Sequence, residues 1–441
     1  ATLNVVTGEL LDHDEAGLSE SAWRRLGAQA GEEVELFHPP PLETMSHVRA
    51  KIYGHRLGAA EMRAILDDVV AGRYSDIHLA AFLTAGAGDR LDLAETTALT
   101  RAMVDVGERL DWGQATIVDK HSVGGLPGNR TTPIVVAIVA AYGLTIPKTS
   151  SRAITSPAGT ADTMETLAPV DLDLPAIRRV VEAEGGCVVW GGAVRLSPAD
   201  DAFVRIEREI DIDAEGQLIA SVLSKKVAAG STHVVIDIPV GPTAKIRTAE
   251  AGHSLAARLS LVGGRLGLNI ASLLTDGTQP VGRGIGPAPE ARDVLAVLRQ
   301  DAGAPDDLAR RALDLAAPLL EIGGAAPPGG GAGMAGQALR DGRAWRKFVA
   351  ICEAQGGLRE PPVAQQTHEI AAARDGAIGP IDNRRLARLA KLAGAPGNPA
   401  AGLTLAVRAG ETVARAQPLF RLHSGSAGEI TYAIDYWSRA P

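Results

Sequence analysis

Cysteine is nearly absent: the 441 residues hold two, Cys187 and Cys352. Two thiols cannot build a disulfide framework, so a reducing cytoplasm is the expected setting. Basic charge is not in excess either. With 44 Lys+Arg against 52 Asp+Glu the formal net charge is −8, which lacks the basic footprint of sequence-independent nucleic-acid binding. An anionic ligand would need a locally basic or dipolar site. Long apolar runs are missing as well. The longest, Ile134 to Leu144 broken by Gly143, falls short of the roughly 20 residues of a membrane span. The first residues, ATLNVVTGELLDHDE, have neither the basic nor the apolar region of a signal peptide. What remains is ordinary globular composition, 46% hydrophobic and 22% charged. The length predicts two or three domains at about 100–200 residues each.

Several enzyme motifs are also lacking. The ten histidines form no His-Glu-x-x-His and no Cys/His pattern with zinc spacing, so no metal is expected. There is no Gly-x-Ser-x-Gly elbow, and neither cysteine sits in a motif that activates a thiolate. Neither the P-loop nor the Gly-x-Gly-x-x-Gly dinucleotide pattern is present.

Organisation follows from the hydrophobic periods. Residues 1–38 combine a strand-like run, Leu3 to Val6, with a helical stretch around Leu18 to Leu26. His38-Pro39-Pro40-Pro41 then reads as a stiff linker. Residues 39–110 are expected to be helical, because Met62, Ile65, Leu66, Val69 and Val70, and then Ile77, Ala80, Ala81 and Leu83, recur at helix spacing. Over 111–360, apolar runs (Ala115–Val118, Cys187–Trp190, His233–Ile238, Leu268–Leu274) alternate with helical patterns such as Leu218–Ala229 and Ala249–Leu261. That alternation predicts an α/β domain with a largely parallel sheet. Gly323 to Gly333 is Gly/Pro-rich and is expected to be a flexible loop. Residues 361–441, with a short helix at Asn383–Leu392 and β-type runs at Leu403–Val407 and Leu419–His423, predict a small α+β end domain.

Chemistry-bearing residues gather in the middle of the chain. Eight of the 44 basic residues are lysines, and five of them (Lys120, Lys148, Lys225, Lys226, Lys245) fall between 120 and 245. Compact ammonium donors are thus concentrated where arginine is otherwise the rule, unless the clustering is chance. The run from Val118 to Thr131 carries a strand into a Gly-rich loop and a helix start. Such a loop is either a tight connection or an anion cradle, and Lys120, His121, Ser122 and Thr131 around it favour the cradle. Lys148 to Thr160 places six hydroxyls, one Arg and one Lys within thirteen residues, again ahead of a helix. Donors for a sugar phosphate and ordinary helix capping are both open readings of it. Two such loops point to a ligand with more than one anionic group. Ser221 and Lys225, at i and i+4, share a helix face. Asp213, just before that helix, is either an acid or a charge that favours the helix dipole. Gly282-Arg283-Gly284-Ile285-Gly286 is weighed as a structural turn.

Asp119-Lys120-His121-Ser122-x-Gly124-Gly125, together with Leu223-Ser224-Lys225-Lys226-x-Ala228-Ala229-Gly230, resembles the thymidine/pyrimidine-nucleoside phosphorylase family. The longer stretches Gly124–Arg130, Lys148–Ser156, Gly230–His233 and Ile238–Lys245 resemble its AMP (nucleoside 5′-monophosphate) phosphorylase branch and that branch's bacterial relatives. The resemblance implies a helical domain (39–110, joined by about 199–230), an α/β phosphate-binding domain (111–360) and a C-terminal α+β domain (361–441). It implies a homodimer or larger assembly. Residues 1–38 would be part of a fuller N-terminal domain. The implied reaction is reversible phosphorolysis with inorganic phosphate as co-substrate and no cofactor.

By the same resemblance, Lys120, Ser122, Thr131, Ser151 and Thr160 are phosphate candidates. Gly125, the run Ser151, Arg152, Ala153, Ile154, Thr155 and Ser156, then Thr160, Ser221, Lys225 and Lys245 are substrate candidates. Asp213 falls at the proton-donor position. The ring-contacting Arg of thymidine phosphorylases is replaced by Ile206, flanked by Arg205 and Arg208, and Ser151-Arg152-Ala153 replaces their Gly-rich loop. Both departures favour nucleotides over thymidine. A pyrimidine nucleoside phosphorylase and a nucleotide-binding protein without turnover are the competing expectations.

Overall fold

Five parallel strands carry the centre of the chain: β1 (Val118–Ser122), β2 (Ile146–Ser150), β3 (Gly186–Trp190), β4 (His233–Val240) and β5 (Asn269–Asp276). β1 pairs with β4 and β4 with β5, while β2 pairs with β3. A parallel bridge between Ile117 and Thr145 joins the two sets at their base. The computed structural model describes residues 6–35, 41–153, 156–210, 212 and 214–439. Of the expected N-terminal features, most of the Leu3–Val6 run and residues 38–40 of the proline stretch lie outside them.

Strands β1 to β4 are largely covered on both faces, which is why they read as apolar runs rather than alternating ones, while the edge strand β5 is only half-buried. One face packs on the helix Thr132–Ala140, all of whose residues are buried, and on helices from Pro287 to Gln355. Val234, Ile236 and Ile238 of β4 point the other way, onto Ile219, Val222 and Leu223 of the helix Glu215–Ala228 and Leu255, Leu259 and Val262 of Ala249–Arg265. The helices Met45–Ile52, Ala59–Val70, Asp76–Ala85 and Leu93–Asp105 form a bundle that Pro198–Ile210 and Glu215–Ala228 rejoin from later in the chain. Inside it Lys51 Nζ donates to Glu95 at 2.5 Å, a fully enclosed ion pair. Among the described residues no helix is long and apolar enough to cross a membrane.

The C-terminal region contains β6 (Gly284–Ile285), β7 (Gln366–Ala371), β8 (Gly376–Ala377), β9 (Gly402–Leu405), β10 (Thr412–Val413) and β11 (Pro418–Ser424). Four of these form an antiparallel sheet in the order β6-β9-β11-β7, backed by helices Asn383–Leu392 and Ala427–Ser438. Its edge strand β6 comes from the Gly282–Gly286 turn, well upstream in the chain. The end sheet is thereby bonded into the α/β layer.

Gly323–Gly333 is not a flexible loop. Ala326 is buried, Gly331 N donates to Glu321 Oε1 at 2.9 Å, and a helix runs from Gly331 to Arg340. A Cβ on Gly331 would lie 2.2 Å from the Ala317 carbonyl oxygen, so this glycine permits close helix packing rather than freedom. Ala1–Glu43 is a compact unit separate from Thr44–Pro441. Its helix Glu20–Leu26 is opened by Ser19 and closed by left-handed Gly27.

Candidate functional site

Ligands of open α/β sheets sit at the carboxyl ends of the strands, and the expected phosphate residues collect there. Lys120, 1% exposed, donates from Nζ to Thr131 Oγ1 at 2.8 Å and to Thr132 Oγ1 at 3.4 Å. Each of these hydroxyls accepts from an ammonium, so its own proton is left to donate elsewhere. Burial lowers the Lys120 pKa to about 8, although Asp237 opposes the shift.

Ser122 is placed differently. Its hydroxyl donates to Asp237 Oδ2 at 2.9 Å, while Asn129 Nδ2 reaches the same oxygen at 2.8 Å and Thr275 donates to the other at 2.6 Å. Asp237 accepts only, so Ser122 offers an anion no proton in this arrangement. Asp237 is a site residue that the motifs alone do not single out. Its signal is present nonetheless: a lone carboxylate in the apolar strand HVVIDIPV must be partnered.

The second loop closes on the first. Arg130 donates from Nε to Glu290 Oε2 at 2.7 Å, from Nη1 to Thr160 Oγ1 at 2.5 Å and from Nη2 to the Ala158 carbonyl at 3.0 Å. Asp162 accepts from Ala153 N at 2.7 Å and from Gly159 N at 2.8 Å, strapping both ends of the loop. Arg152, expected to contact substrate, forks onto Glu165 at 2.5 and 2.9 Å and lies 4.9 Å over the Trp190 ring. Hydrogen bonding to Glu165 raises its pKa further. Its guanidinium thus braces the loop. Ser151 is exposed, and Ser156 Oγ donates to the Ala158 carbonyl at 2.9 Å. Ile154 and Thr155 lie outside the described residues.

On the helical side Lys225 Nζ bridges Ser221 Oγ at 2.9 Å and Asp200 Oδ2 at 2.6 Å, as the i, i+4 spacing requires. Burial and the neighbouring Asp200 raise the Asp201 pKa to about 6. Asp213 lies outside the described residues. Lys245 follows β4 and backs directly onto Gly125, whose φ is +78°. A Cβ there would stand 2.6 Å from Lys245 N. Gly125→Ala is therefore expected to lose about 2–4 kcal/mol, combining left-handed strain with overpacking. A thermal melt within a degree of wild type would contradict this.

Beneath these groups lies a buried charge network. Asp119, 0% exposed, accepts from Lys226 Nζ at 2.5 Å and faces Lys148 Nζ at 3.6 Å. Burial alone would push its carboxyl up, but Lys148 and Lys226 outweigh burial and hold it below the usual range. Burial, with Lys226 and Lys148 next, keeps His121 well below the ordinary imidazole value, so it is neutral at pH 7. Two of the five clustered lysines, Lys148 and Lys226, thus serve the interior. Both cysteine thiols are pushed up to about 12 by burial, which leaves them unreactive. Among the described residues no group of three His, Cys, Asp or Glu could hold a metal ion.

Known proteins align with these features. Residues 46–107 match the helical bundle domain of a glycosyl transferase family, and 114–262 match that family's a/b domain. A "Putative thymidine phosphorylase" of Polaromonas sp. is 66% identical over 436 residues, covering 99% of this chain and 85% of that protein. "Putative thymidine phosphorylase 2" of Acidovorax sp. is 63% identical over 441 residues, 100% of this chain and 86% of that one. Among solved structures, the anthranilate phosphoribosyltransferase of Thermus thermophilus superposes with a TM-score of 0.57 at 20% identity, over 70% of this chain and 98% of that one. The Saccharomyces cerevisiae anthranilate phosphoribosyltransferase gives 0.55 at 14% identity, over 70% and 97%. These two likenesses concern the fold alone. With relatives 63–66% identical over nearly its full length, the chain is a pentosyltransferase that belongs to the thymidine/pyrimidine-nucleoside phosphorylase family.

Proposed function

We propose that this enzyme phosphorolyses nucleoside 5′-monophosphates (AMP, with CMP and UMP as further substrates) to free base and ribose 1,5-bisphosphate. An oxygen of inorganic phosphate bonds to C1′ as the C1′–N bond breaks, through an oxocarbenium-like state, and the departing base takes up a proton. Lys120 and Thr131 supply donors for one anion, while Thr160, Ser151 and Lys245 supply a second set. Asp213 is the proton donor, and Ser221 and Lys225 complete the substrate side.

The observation that carries the choice of substrate is Ile206. It is a buried apolar residue of the helix Pro198–Ile210, where a thymidine enzyme would present an arginine to the ring. The adjacent Arg205 does not replace it, because its guanidinium forks onto Asp76 at 2.9 and 2.6 Å. The Arg208 side chain lies outside the described ones. The names of the relatives favour the other reading, a thymidine or pyrimidine nucleoside phosphorylase giving (deoxy)ribose 1-phosphate.

Phosphate-dependent base release from AMP, CMP, UMP, thymidine and uridine separates the two. Turnover confined to the 5′-monophosphates is expected, falling about 10²–10⁴-fold in Asp213→Asn, the range for a lost general acid. Comparable kcat/KM on free thymidine or uridine would decide for the nucleoside reading.

A further inference from the structure

We propose that Arg130 is a positioning residue that acts through Thr160: it holds the Thr160 hydroxyl as an acceptor, so that the hydroxyl proton faces a phosphate group. This rests on the phosphorylase reading above and adds to it a residue outside the expected site.

Arg130 sits between Asn129 and Thr131 in the Gly-rich loop, where a free guanidinium would be an obvious anion ligand. It is not free. Its nitrogens donate to Glu290, Thr160 and the Ala158 carbonyl at 2.5–3.0 Å, and the residue is 9% exposed. Glu290, 1% exposed, is fixed in turn by Thr163 Oγ1 at 3.2 Å and Gly286 N at 3.3 Å. A buried Arg–Glu pair of this kind contributes little net stability, because desolvation of both charges offsets their attraction. Its geometric consequence is definite. A guanidinium donates only, so Thr160 Oγ1 must accept, and its single proton is turned toward other acceptors. Lys120 imposes the same polarity on Thr131 at 2.8 Å. Two threonine donors on two loops are therefore aimed by two buried cations, and hydrogen bonds in such chains strengthen one another. Arg130 also spans the loops, so it fixes the separation of the two donors. Lysine could not do this fully, since a single ammonium lacks the planar fork that meets three acceptors at once.

The test uses the full chain. Binding of inorganic phosphate by calorimetry, and KM for phosphate and for AMP, are compared in wild type, Thr160→Val, Thr160→Ser, Arg130→Met and the double variant Arg130→Met/Thr160→Val. Thr160→Val and Arg130→Met are each expected to weaken one phosphate interaction about tenfold, the scale of a hydrogen bond to a charged group. The double variant should be no weaker than Thr160→Val within a factor of two, and Thr160→Ser should behave as wild type. Which KM moves, that of phosphate or of AMP, tells whether Thr160 serves the attacking phosphate or the 5′-phosphate. If Arg130→Met does not fold, Arg130→Met/Glu290→Gln, which removes the buried pair together, is read in its place with the same expectation. Multiplying rather than saturating losses, or phosphate and AMP interactions unchanged within twofold in a folded Arg130 variant, would overturn the inference. Calorimetry needs no turnover. Weakened phosphate binding in an enzyme inactive on every nucleotide would keep the positioning role and discard the nucleotide-phosphorylase reading.

Discussion

Asp119→Asn is expected to lower the free energy of unfolding by about 3–5 kcal/mol, the cost of stranding buried charge by removing its partner. The carboxylate is fully enclosed, and Lys226, Lys148, Ser231 and the Lys120 amide all converge on it. Asparagine keeps the volume and loses the charge, which leaves two buried ammonium groups facing a neutral amide. Burial already depresses Lys148 well below the ordinary lysine value even with Asp119 present, and losing Asp119 depresses it further. The sign of the pH effect follows. A base with a folded pKa below its unfolded value destabilises fully at low pH, and the penalty fades as pH rises toward the unfolded pKa, because the unfolded chain binds more protons. The variant's deficit against wild type should therefore be largest near pH 5 and shrink as pH rises through the depressed Lys148 pKa toward the ordinary lysine value of 10.5. Urea midpoints at the two ends of that range would show it, and a deficit of equal size at both would refute the account.

That network marks where sequence reading stops. The strands Cys187–Trp190 and His233–Ile238 are legible because a parallel strand covered on both faces is a short apolar run, and the helix Asn383–Leu392 because its period and its Asp382 cap are local. β6 is not legible as a strand: two residues have no period, and Gly284–Ile285 becomes one only by meeting Gly402–Leu405. Glycine richness signals a special loop before Thr131, yet at Gly323–Gly333 it suggests looseness where the same residue type serves close packing. At the site, residue types are visible in the sequence and partners are not. Nothing near Arg152 in sequence announces Glu165, thirteen residues on, and Arg130 meets Glu290 across 160. The direction of a hydroxyl proton is harder still. Ser122 and Thr131 look equivalent as donors in sequence, but a carboxylate takes the proton of one while an ammonium frees that of the other.

Lys120→Met is expected to reduce kcat/KM for phosphate about 10²–10³-fold, the loss typical of removing one fixed donor from an enclosed site. The pH profile carries the same argument. With its pKa lowered by burial to about 8, Lys120 in the free enzyme loses its charge as pH passes that value, and phosphate affinity should fall with it. A bound anion favours the ammonium, so the alkaline limb of kcat at saturating phosphate should lie at higher pH than that of kcat/KM. In Lys120→Met that limb should be flat. Stability should move the opposite way from Asp119→Asn. A lysine of folded pKa about 8 against an ordinary value of 10.5 destabilises the fold wherever it is protonated in both states, that is below pH 8, with the penalty gone above 10.5. Replacing it with an apolar side chain of similar length should leave the melting temperature at pH 7 equal to wild type or higher. Activity lost without stability lost would identify Lys120 as a group retained for the anion. A melt lowered as far as that of Asp119→Asn would place it with the structural lysines instead, and the phosphate-binding role would then fall to Thr131 and Thr160 alone.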